Sequence, residues 1–326
     1  MIHMNAKTVG IGTTFLVVLI FIAVVIAPQY TNPESKEFSA NYRPRTPLEE
    51  KGRELYISYG CEYCHSQYIR TVDWGLGAER LAQPGDYTGE TAPQLGSIRN
   101  GPDLSQAGGE HTDGWHAAHF HNPRWTRPES FMPPFSYFTE DDRDAMIAYV
   151  QSLGGKEADA RVARQWAWRK KAIAAYEAGI DENIEWIHSE VPEGWLAVPT
   201  PYPITEVSRK RGATVYQRHC LGCHGPVGDG QGPAVELIYP PPLNFTTLRR
   251  HGLEGGAGGG MLYYQIMNGI TGTAMPYFKR ELESEKIWDV SNYVAEQFIG
   301  IVDADGEPKG IDAAFEPVTA SDRPKE

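Results

Sequence analysis

Residues Cys61–Arg70 read CEYCHSQYIR, and this stretch decides how the rest of the chain is interpreted. Two cysteines three positions apart occur in redox dithiols, in zinc sites and at sites of covalent haem c attachment. Only haem attachment uses the histidine that follows directly, because the two thiols bind the porphyrin while the next imidazole reaches the iron.

The motif occurs a second time, as CLGCH at Cys220–His224, and the two copies contain all 4 cysteines of the chain. A zinc site built from two such pairs places them about 15–20 residues apart, which this spacing far exceeds. A thioredoxin-like dithiol does not explain the repeated histidine. The sequence therefore predicts two covalently bound haem c groups. The predicted attachment residues are Cys61, Cys64, Cys220 and Cys223, and the predicted first iron ligands are His65 and His224.

A methionine next to a proline follows each motif at a distance. Met132 occurs in PESFMPPFSYF and Met275 in NGITGTAMPYF, each shortly ahead of a predicted helix. A loop methionine often only fills a gap in a core, but a thioether is also the ligand that raises the iron potential in cytochromes c. Because the Met-Pro pair recurs at the corresponding place in both halves, Met132 and Met275 are predicted as the second iron ligands.

A histidine-rich stretch competes with Met132 for this role. HTDGWHAAHFHNPR, residues 111–124, offers several imidazoles that could give a haem with two histidine ligands. Histidines at this density are more often structural or directed at haem propionates, so the sulfur is favoured. The histidines are His111, His116, His119 and His121, of which His116 and His119 are predicted to lie one turn apart on a short helix.

Each motif is preceded by a predicted helix. Thr46, followed by a proline and by a glutamate at the third helical position, forms a capping box ahead of the first motif. Thr205 opens the helix ahead of the second motif. Gly52 and Tyr56 before the first motif correspond, within one residue of register, to Gly212 and Tyr216 before the second. A glycine on such a helix permits close approach by another helix. Closing helices with apolar residues at helical spacing are predicted to be capped at their starts by Thr139 and Ser284.

A helix leading into the motif, a loop-rich middle and a closing helix resemble the class I cytochrome c fold over most of both halves. The predicted fold is therefore mostly α, with an N-terminal transmembrane helix followed by two class I cytochrome c domains. The 326 residues have room for about two domains. The predicted segments are 1–30 for a cytoplasmic tip and anchor, 31–155 and 205–300 for the two cytochrome domains, 156–204 for a linker with a helix, and 301–326 for a disordered acidic tail.

The formal net charge of -12 argues against nucleic-acid binding, which requires a basic face.

Thr8–Ala27 contains no charge, and about twenty apolar residues suffice to cross a lipid bilayer as a helix. A cleaved signal peptide is the alternative, although its apolar core is shorter, about 7–15 residues. Lys7 precedes the stretch, so the short end is predicted in the cytoplasm. The expected location is a bacterial inner membrane, spanned once, with the haem domains on the periplasmic or outer side.

Four blocks of the first half resemble the membrane-anchored mono-haem subunit of cbb-type haem–copper oxidases, the FixO family. In chain order they are CHSQYIR at 64–70, LGSIRNGPDL at 95–104, GWHAAHFHNPR at 114–124 and PESFMP at 128–133. The resemblance implies that His65 and Met132 hold the haem of a subunit that passes electrons to the haem–copper subunit in the membrane. A second cytochrome follows, so the chain resembles a fusion of this subunit with an electron-entry cytochrome.

The function expected from the sequence is a membrane-anchored di-haem cytochrome that relays electrons from a soluble or membrane-bound donor to the haem–copper subunit of a terminal oxidase. Catalysis is then expected in another chain. The close alternative is the cytochrome c subunit of a nitric oxide reductase. An alternative from another class is a stand-alone di-haem peroxidase.

A linker helix is predicted at 158–179 and is interpreted as a spacer packed on one domain or as a docking helix for the catalytic subunit. Gly255–Gly260 is interpreted as a flexible loop.

Overall fold

The structure is a computed structural model that describes residues 5–31, 37–76, 80–90, 92–96, 98–196, 198–248 and 259–299. Over these residues the chain is mostly helical and contains no strand, which confirms the predicted fold class. Single-turn helices and 3₁₀ turns connect the longer helices. The longer helices are α1 (Ala6–Phe21), α2 (Pro47–Ser58), α3 (Asp113–His121), α4 (Glu140–Ser152), α5 (Gly155–Ala178), α6 (Ile180–Ser189), α7 (Glu206–His219), α8 (Gly259–Asn268) and α9 (Ser284–Val294).

The N-terminal helix has the length and composition of a membrane span. α1 continues through a π-helical segment, Ile22–Ile26, and then through Ala27–Thr31. The apolar part, Ala6–Ile26, has 21 residues and a mean hydropathy of 2.9, and no residue of its most apolar stretch is buried. A helix with this hydropathy and no protein packed around it suits a lipid environment, and a signal sequence has the same properties.

The first half is organised around the crossing of α2 and α4. A Cβ at Gly52 would collide with the Ala145 carbonyl oxygen and lie 2.7 Å from the Cβ of Tyr149. Only glycine permits this approach. Tyr56 and Tyr149, both almost fully buried, then pack with their ring centroids 5.2 Å apart.

The second half repeats this arrangement between α7 and α9. A Cβ at Gly212 would collide with the Asp289 carbonyl oxygen and lie 2.9 Å from the Cβ of Tyr293. The rings of Tyr216 and Tyr293 are 5.6 Å apart. The glycine–tyrosine pair that recurs in the sequence therefore has the same packing role in both halves.

The predicted capping threonines are found where the sequence placed them. Thr46, Thr139 and Thr205 each accept a hydrogen bond from the N–H of the third helical residue, at the starts of α2, α4 and α7. The prediction for Ser284 is wrong, because α9 begins after Glu283, which makes no side-chain capping bond. The Ser284 hydroxyl instead lies 3.0 Å from the Tyr263 hydroxyl, so contact with another helix determines its position.

α8 is a helix that the sequence analysis did not predict. The predicted Gly255–Gly260 loop is only partly tested, because residues 255–258 lie outside the described residues, whereas Gly259 already begins α8. The glycine run contains no side chain typical of a helix N-cap, so the sequence gives no indication of where the helix begins. α8 contributes Met261, Leu262 and Ile266 to the buried core of the second half. The predicted tail at 301–326 also lies outside the described residues.

The linker helix α5 packs against both halves. On the first half, a Cβ at Gly108 would lie 2.7 Å from the Cβ of Ala158. On the second half, a Cβ at Gly272 would lie 2.6 Å from the backbone nitrogen of Arg169. The prediction of a spacer packed on one domain is therefore wrong. Glycines in both halves allow their backbones to contact the same helix.

Candidate haem sites

The first motif is a tight turn at the end of α2. Gly60 adopts a left-handed conformation, with φ 68°, and a 3₁₀ turn over Cys61–Tyr63 follows. The N–H of His65 donates to the Cys61 carbonyl at 3.0 Å, which closes the turn between the first cysteine and the histidine. Both cysteines of the motif are free thiols. Burial raises the pKa of the Cys61 thiol to about 12, so this sulfur is neutral and suited to an apolar thioether environment.

The His65 ring is fixed in one orientation. Its Nδ1 lies 2.9 Å from the Pro102 carbonyl oxygen. Because a carbonyl only accepts hydrogen bonds, Nδ1 carries the proton and Nε2 keeps its lone pair, as in metal-binding histidines. Gly101 allows the loop to reach the ring, since a Cβ there would lie 2.6 Å from Nδ1. Burial lowers the pKa of His65, although the hydrogen bond to Pro102 opposes the shift, and the imidazole is neutral.

The chain after the first motif is bound to the loop that carries Pro102. The Ser66 hydroxyl donates to the Asp103 carboxylate at 2.6 Å, and the Arg99 guanidinium donates to Asp73 at 2.8 Å. The N–H of Leu104 also donates to the Ser66 carbonyl at 2.7 Å. Two of the sequence blocks that resemble the FixO family, 64–70 and 95–104, are thus joined by direct hydrogen bonds. Sequence reasoning quoted these blocks but assigned no role to Gly101, Pro102 or Asp103.

Met132 follows the first motif in the chain and packs against the same core as Cys61. It is half-buried and packs against the core cluster that also contains Phe120, Met146 and, at its edge, Cys61. Its N–H donates to the Ser130 hydroxyl at 3.2 Å. Its carbonyl accepts from Arg124 at 2.9 Å. These bonds fix the backbone of the Met-Pro loop and direct it towards the core that holds the cysteine.

The second motif forms a single helical turn, Leu221–His224, directly after α7. Nδ1 of His224 lies 3.4 Å from the Leu243 carbonyl oxygen, and Phe245 stacks on the ring at 4.5 Å. Burial lowers the pKa of His224 to about 4. It also raises the pKa of each thiol, Cys220 and Cys223, to about 12. The imidazole is neutral and again keeps Nε2 free, as at His65.

The loop after the second motif wraps around it. The N–H of Gly230 donates to the His224 carbonyl at 3.0 Å, and the N–H of Gly232 donates to the Cys223 carbonyl at 3.1 Å. These glycines belong to GPVGDGQGPA, and Leu243 belongs to YPPPLNF. Both stretches are turn-rich in sequence, and the structure brings both to the second motif.

Met275 matches Met132 in its local structure. It is half-buried and packs against the core cluster of the second half, as does Cys220. Its N–H donates to the Thr273 hydroxyl at 3.2 Å, the same bond that joins Met132 to Ser130. The two Met-Pro loops therefore share this backbone hydrogen bond as well as their sequence position.

The histidines of residues 111–124 form an aromatic stack. His111 and His119 lie on opposite sides of Trp115, with ring centroids 3.7 Å and 4.7 Å away. Nδ1 of His119 lies 2.7 Å from the Thr126 hydroxyl. His116 and His119 lie one turn apart on α3, as predicted. Burial lowers their pKa values to about 4 and about 3, so both are neutral.

The donor set of each half fits haem c. Each half has a pair of free thiols, a neutral imidazole with Nε2 available and a half-buried thioether, and the thioether and the first cysteine of each motif pack against the same core. Over the described ranges, no group of three or more His, Cys, Asp or Glu side chains is arranged to hold a metal ion. A porphyrin-bound iron needs no such group, because the ring supplies the equatorial nitrogens. The fold and the donors together define the class as c-type cytochromes.

Comparison with known families identifies the two regions. Residues 2–153 match the family described as cytochrome C oxidase, mono-heme subunit/FixO. Residues 208–294 match the family described as cytochrome C oxidase, cbb3-type, subunit III. The first region contains the first motif and Met132, and the second contains the second motif and Met275. The resemblance predicted from the sequence, a FixO-type subunit fused to a second cytochrome c domain, is thereby confirmed.

No curated protein matches the chain. Among solved structures, a chain of the Kuenenia stuttgartiensis reducing HAO-like protein complex is 22% identical. The match covers 78% of this chain and 99% of that chain, with a TM-score of 0.27. At this TM-score the similarity supports no argument about fold or function.

Proposed function

We propose that the protein is a membrane-anchored di-haem cytochrome that relays electrons from a donor to the haem–copper subunit of a cbb3-type oxidase. One observation carries the proposal: two regions of a single chain match two subunit families of the same type of oxidase. Since both family descriptions refer to a cytochrome c oxidase, they favour oxygen over nitric oxide as the terminal acceptor. Catalysis then takes place in the partner subunit.

Each half would hold one haem with its own residues. When bound, a haem c supplies a one-electron iron couple whose potential is raised by a methionine ligand. The backbone carbonyls of Pro102 and Leu243 keep the two imidazoles in the tautomer that binds metal. The buried cores of the two halves pack against one cysteine of each motif, Cys61 and Cys220. The attachment residues would be Cys61, Cys64, Cys220 and Cys223, and the residues that hold the iron would be His65, Met132, His224 and Met275.

The chain that follows the anchor supports a position of the first domain next to the membrane. The N–H of Ser39 donates to the Gly85 carbonyl at 3.1 Å, and the Asn41 amide donates to the Gly154 carbonyl at 2.7 Å. Arg43 forms ion pairs with Glu49 at 2.6 Å and with Asp159 at 2.7 Å. Because these contacts begin at Ser39 and the anchor helix ends at Thr31, they favour a first domain held close to the anchor. In our proposal the first domain passes electrons to the haem–copper subunit, and the second receives them from the donor.

The proposal is tested on the complex purified in mild detergent through a tag on this chain. The haem–copper subunit should co-purify, and a reduced cytochrome c donor should drive oxygen consumption. A chain with Cys220→Ala and Cys223→Ala should keep the partner but lose donor-driven oxygen consumption. A small artificial reductant that reaches the first domain directly should still drive it.

The matched control carries Cys61→Ala and Cys64→Ala, which should lose oxygen consumption with both reductants. Purification without any haem–copper subunit would contradict the proposed function. Full donor-driven activity in the Cys220→Ala, Cys223→Ala chain would show that electrons do not enter at the second domain.

A further inference from the structure

A turn of the first domain lies directly on the second haem motif. We infer that this turn, Pro123–Trp125, is the docking site for the motif at Cys220–His224, so that the two cytochrome domains form one fixed electron-transfer unit. The inference rests on the proposed relay but adds where and how the two domains meet. With haem bound in both halves, the contact would serve the transfer of one electron from the second domain to the first, with no proton or bond exchanged.

Gly222 is the centre of this contact. A Cβ at this position would collide with the Trp125 carbonyl oxygen and would lie 2.9 Å from the Trp125 Cα. The colliding atoms are backbone atoms, which have no rotamer by which to move away. The turn itself is held by the N–H of Trp125, which donates to the Asn122 carbonyl at 3.0 Å, and by stacking of Trp125 on His121 at 4.9 Å.

The haem motif by itself does not require a glycine at this position. Gly222 is not among the glycines with positive φ, so its backbone conformation is open to other residues. The corresponding position of the first motif holds Tyr63, whose side chain is 74% exposed. The glycine is therefore explained by the contact with the first domain and not by the turn geometry.

An apolar cluster extends the contact around both sides of the second motif. Trp115 and Ala118 of α3 pack with Ala234, Ile238 and Ala274 of the second half. Cys223 and Trp125 pack at the edge of the same cluster. Since Ala274 immediately precedes the proposed ligand Met275, the first domain contacts the chain next to a haem cysteine and next to an axial ligand.

Ion pairs at the edge of this contact help to orient the two domains relative to each other. Arg127 pairs with Glu281, and Arg218 pairs with Glu129 at 3.3 Å. Such pairs, at least partly exposed to water, contribute little to stability, so the backbone contact and the apolar cluster determine the docking. The first domain covers the surface next to Cys223, so a donor would have to approach the second domain from another side.

Gly222→Ala in the full-length chain tests the inference. The added methyl group should shift the docking equilibrium towards separated domains roughly 5- to 150-fold, the factor that corresponds to about 1–3 kcal/mol of overpacking. Limited proteolysis between α6 and α7 should become faster, and electron exchange between the haems after photoreduction should become slower. Gly75→Ala is the matched control, because a Cβ there meets no atom within 4 Å. It should leave both measurements unchanged.

Ala118→Leu provides a second variant that leaves the haem motif intact. Ala118 is fully buried in the apolar cluster, so a larger side chain there should also separate the domains. Haem content is measured first, and the variants that retain both haems decide the result. Docking and electron exchange equal to wild type in these variants would overturn the inference. Because both measurements use the isolated chain, their result is independent of whether an oxidase is the partner.

Discussion

Gly52→Ala is expected to destabilise the first domain by pushing α2 and α4 apart. The new Cβ would overlap the Ala145 carbonyl oxygen and lie 2.7 Å from the Cβ of Tyr149. Neither atom has a rotamer through which it can move away, so one helix must shift as a whole. The shift would also separate Tyr56 from Tyr149, whose rings are 5.2 Å apart.

The magnitude follows from three contributions. Alanine has a higher helix propensity than glycine, which favours the variant by about 1 kcal/mol. Overpacking costs about 1–3 kcal/mol, and the upper end applies because the collision is with backbone. Loss of the aromatic pair costs a further ~1 kcal/mol. The net expected loss in the free energy of unfolding is about 2–3 kcal/mol, which lowers the melting temperature by roughly 5–10 °C.

The assay is thermal unfolding of the haem-loaded protein, followed by the haem absorbance and by far-ultraviolet circular dichroism. Gly194→Ala is the matched control, since a Cβ at Gly194 meets no atom within 4 Å, and it should leave the melting temperature unchanged. A Gly52→Ala protein that melts at or above the wild-type temperature would refute the helix crossing described here.

Two further predictions concern acid stability and iron ligation. Burial disfavours the charged form of Glu49, but hydrogen bonds from Arg43 and Thr46 outweigh this effect and lower its pKa below 4.5. A lowered folded-state pKa stabilises the protein above the unfolded value, and this contribution is lost as the pH falls through the folded value. The Glu49→Gln variant should therefore be less stable than the wild type at neutral pH, and it should lose less stability than the wild type on acidification below about pH 5. Urea unfolding across this pH range measures both effects. A variant with the same pH dependence as the wild type would contradict the prediction. Met275→His should lower the potential of one haem and remove its share of the near-infrared sulfur-to-iron band, and an unchanged band would show that Met275 does not bind iron.

The sequence predicted the features that depend on local pattern. The two CxxCH motifs, the capping threonines and the apolar anchor are each recognisable within a few residues. The crossing glycines, Gly52 and Gly212, were identifiable because the same pair of residue types recurs before both motifs. The equivalent backbone bonds of Met132 and Met275 agree with the recurrence of Met-Pro.

The features that were missed depend on residues distant in sequence. The carbonyls of Pro102 and Leu243 that orient the imidazoles come from loops far along the chain, and any residue type has a carbonyl. The role of Gly222 depends on Trp125, about a hundred residues earlier, and no local pattern indicates that contact. α8 was missed because its start lies in a glycine run without a cap.

The central claim is that one chain holds two haem c groups, one in each half. Intact mass spectrometry of the purified protein, together with the haemochrome absorbance per mole of chain, measures this number directly. The proposed function predicts two covalent haems in the native chain and one in the Cys61→Ala, Cys64→Ala variant. A native chain with a single haem, or a variant that retains two, would contradict the account.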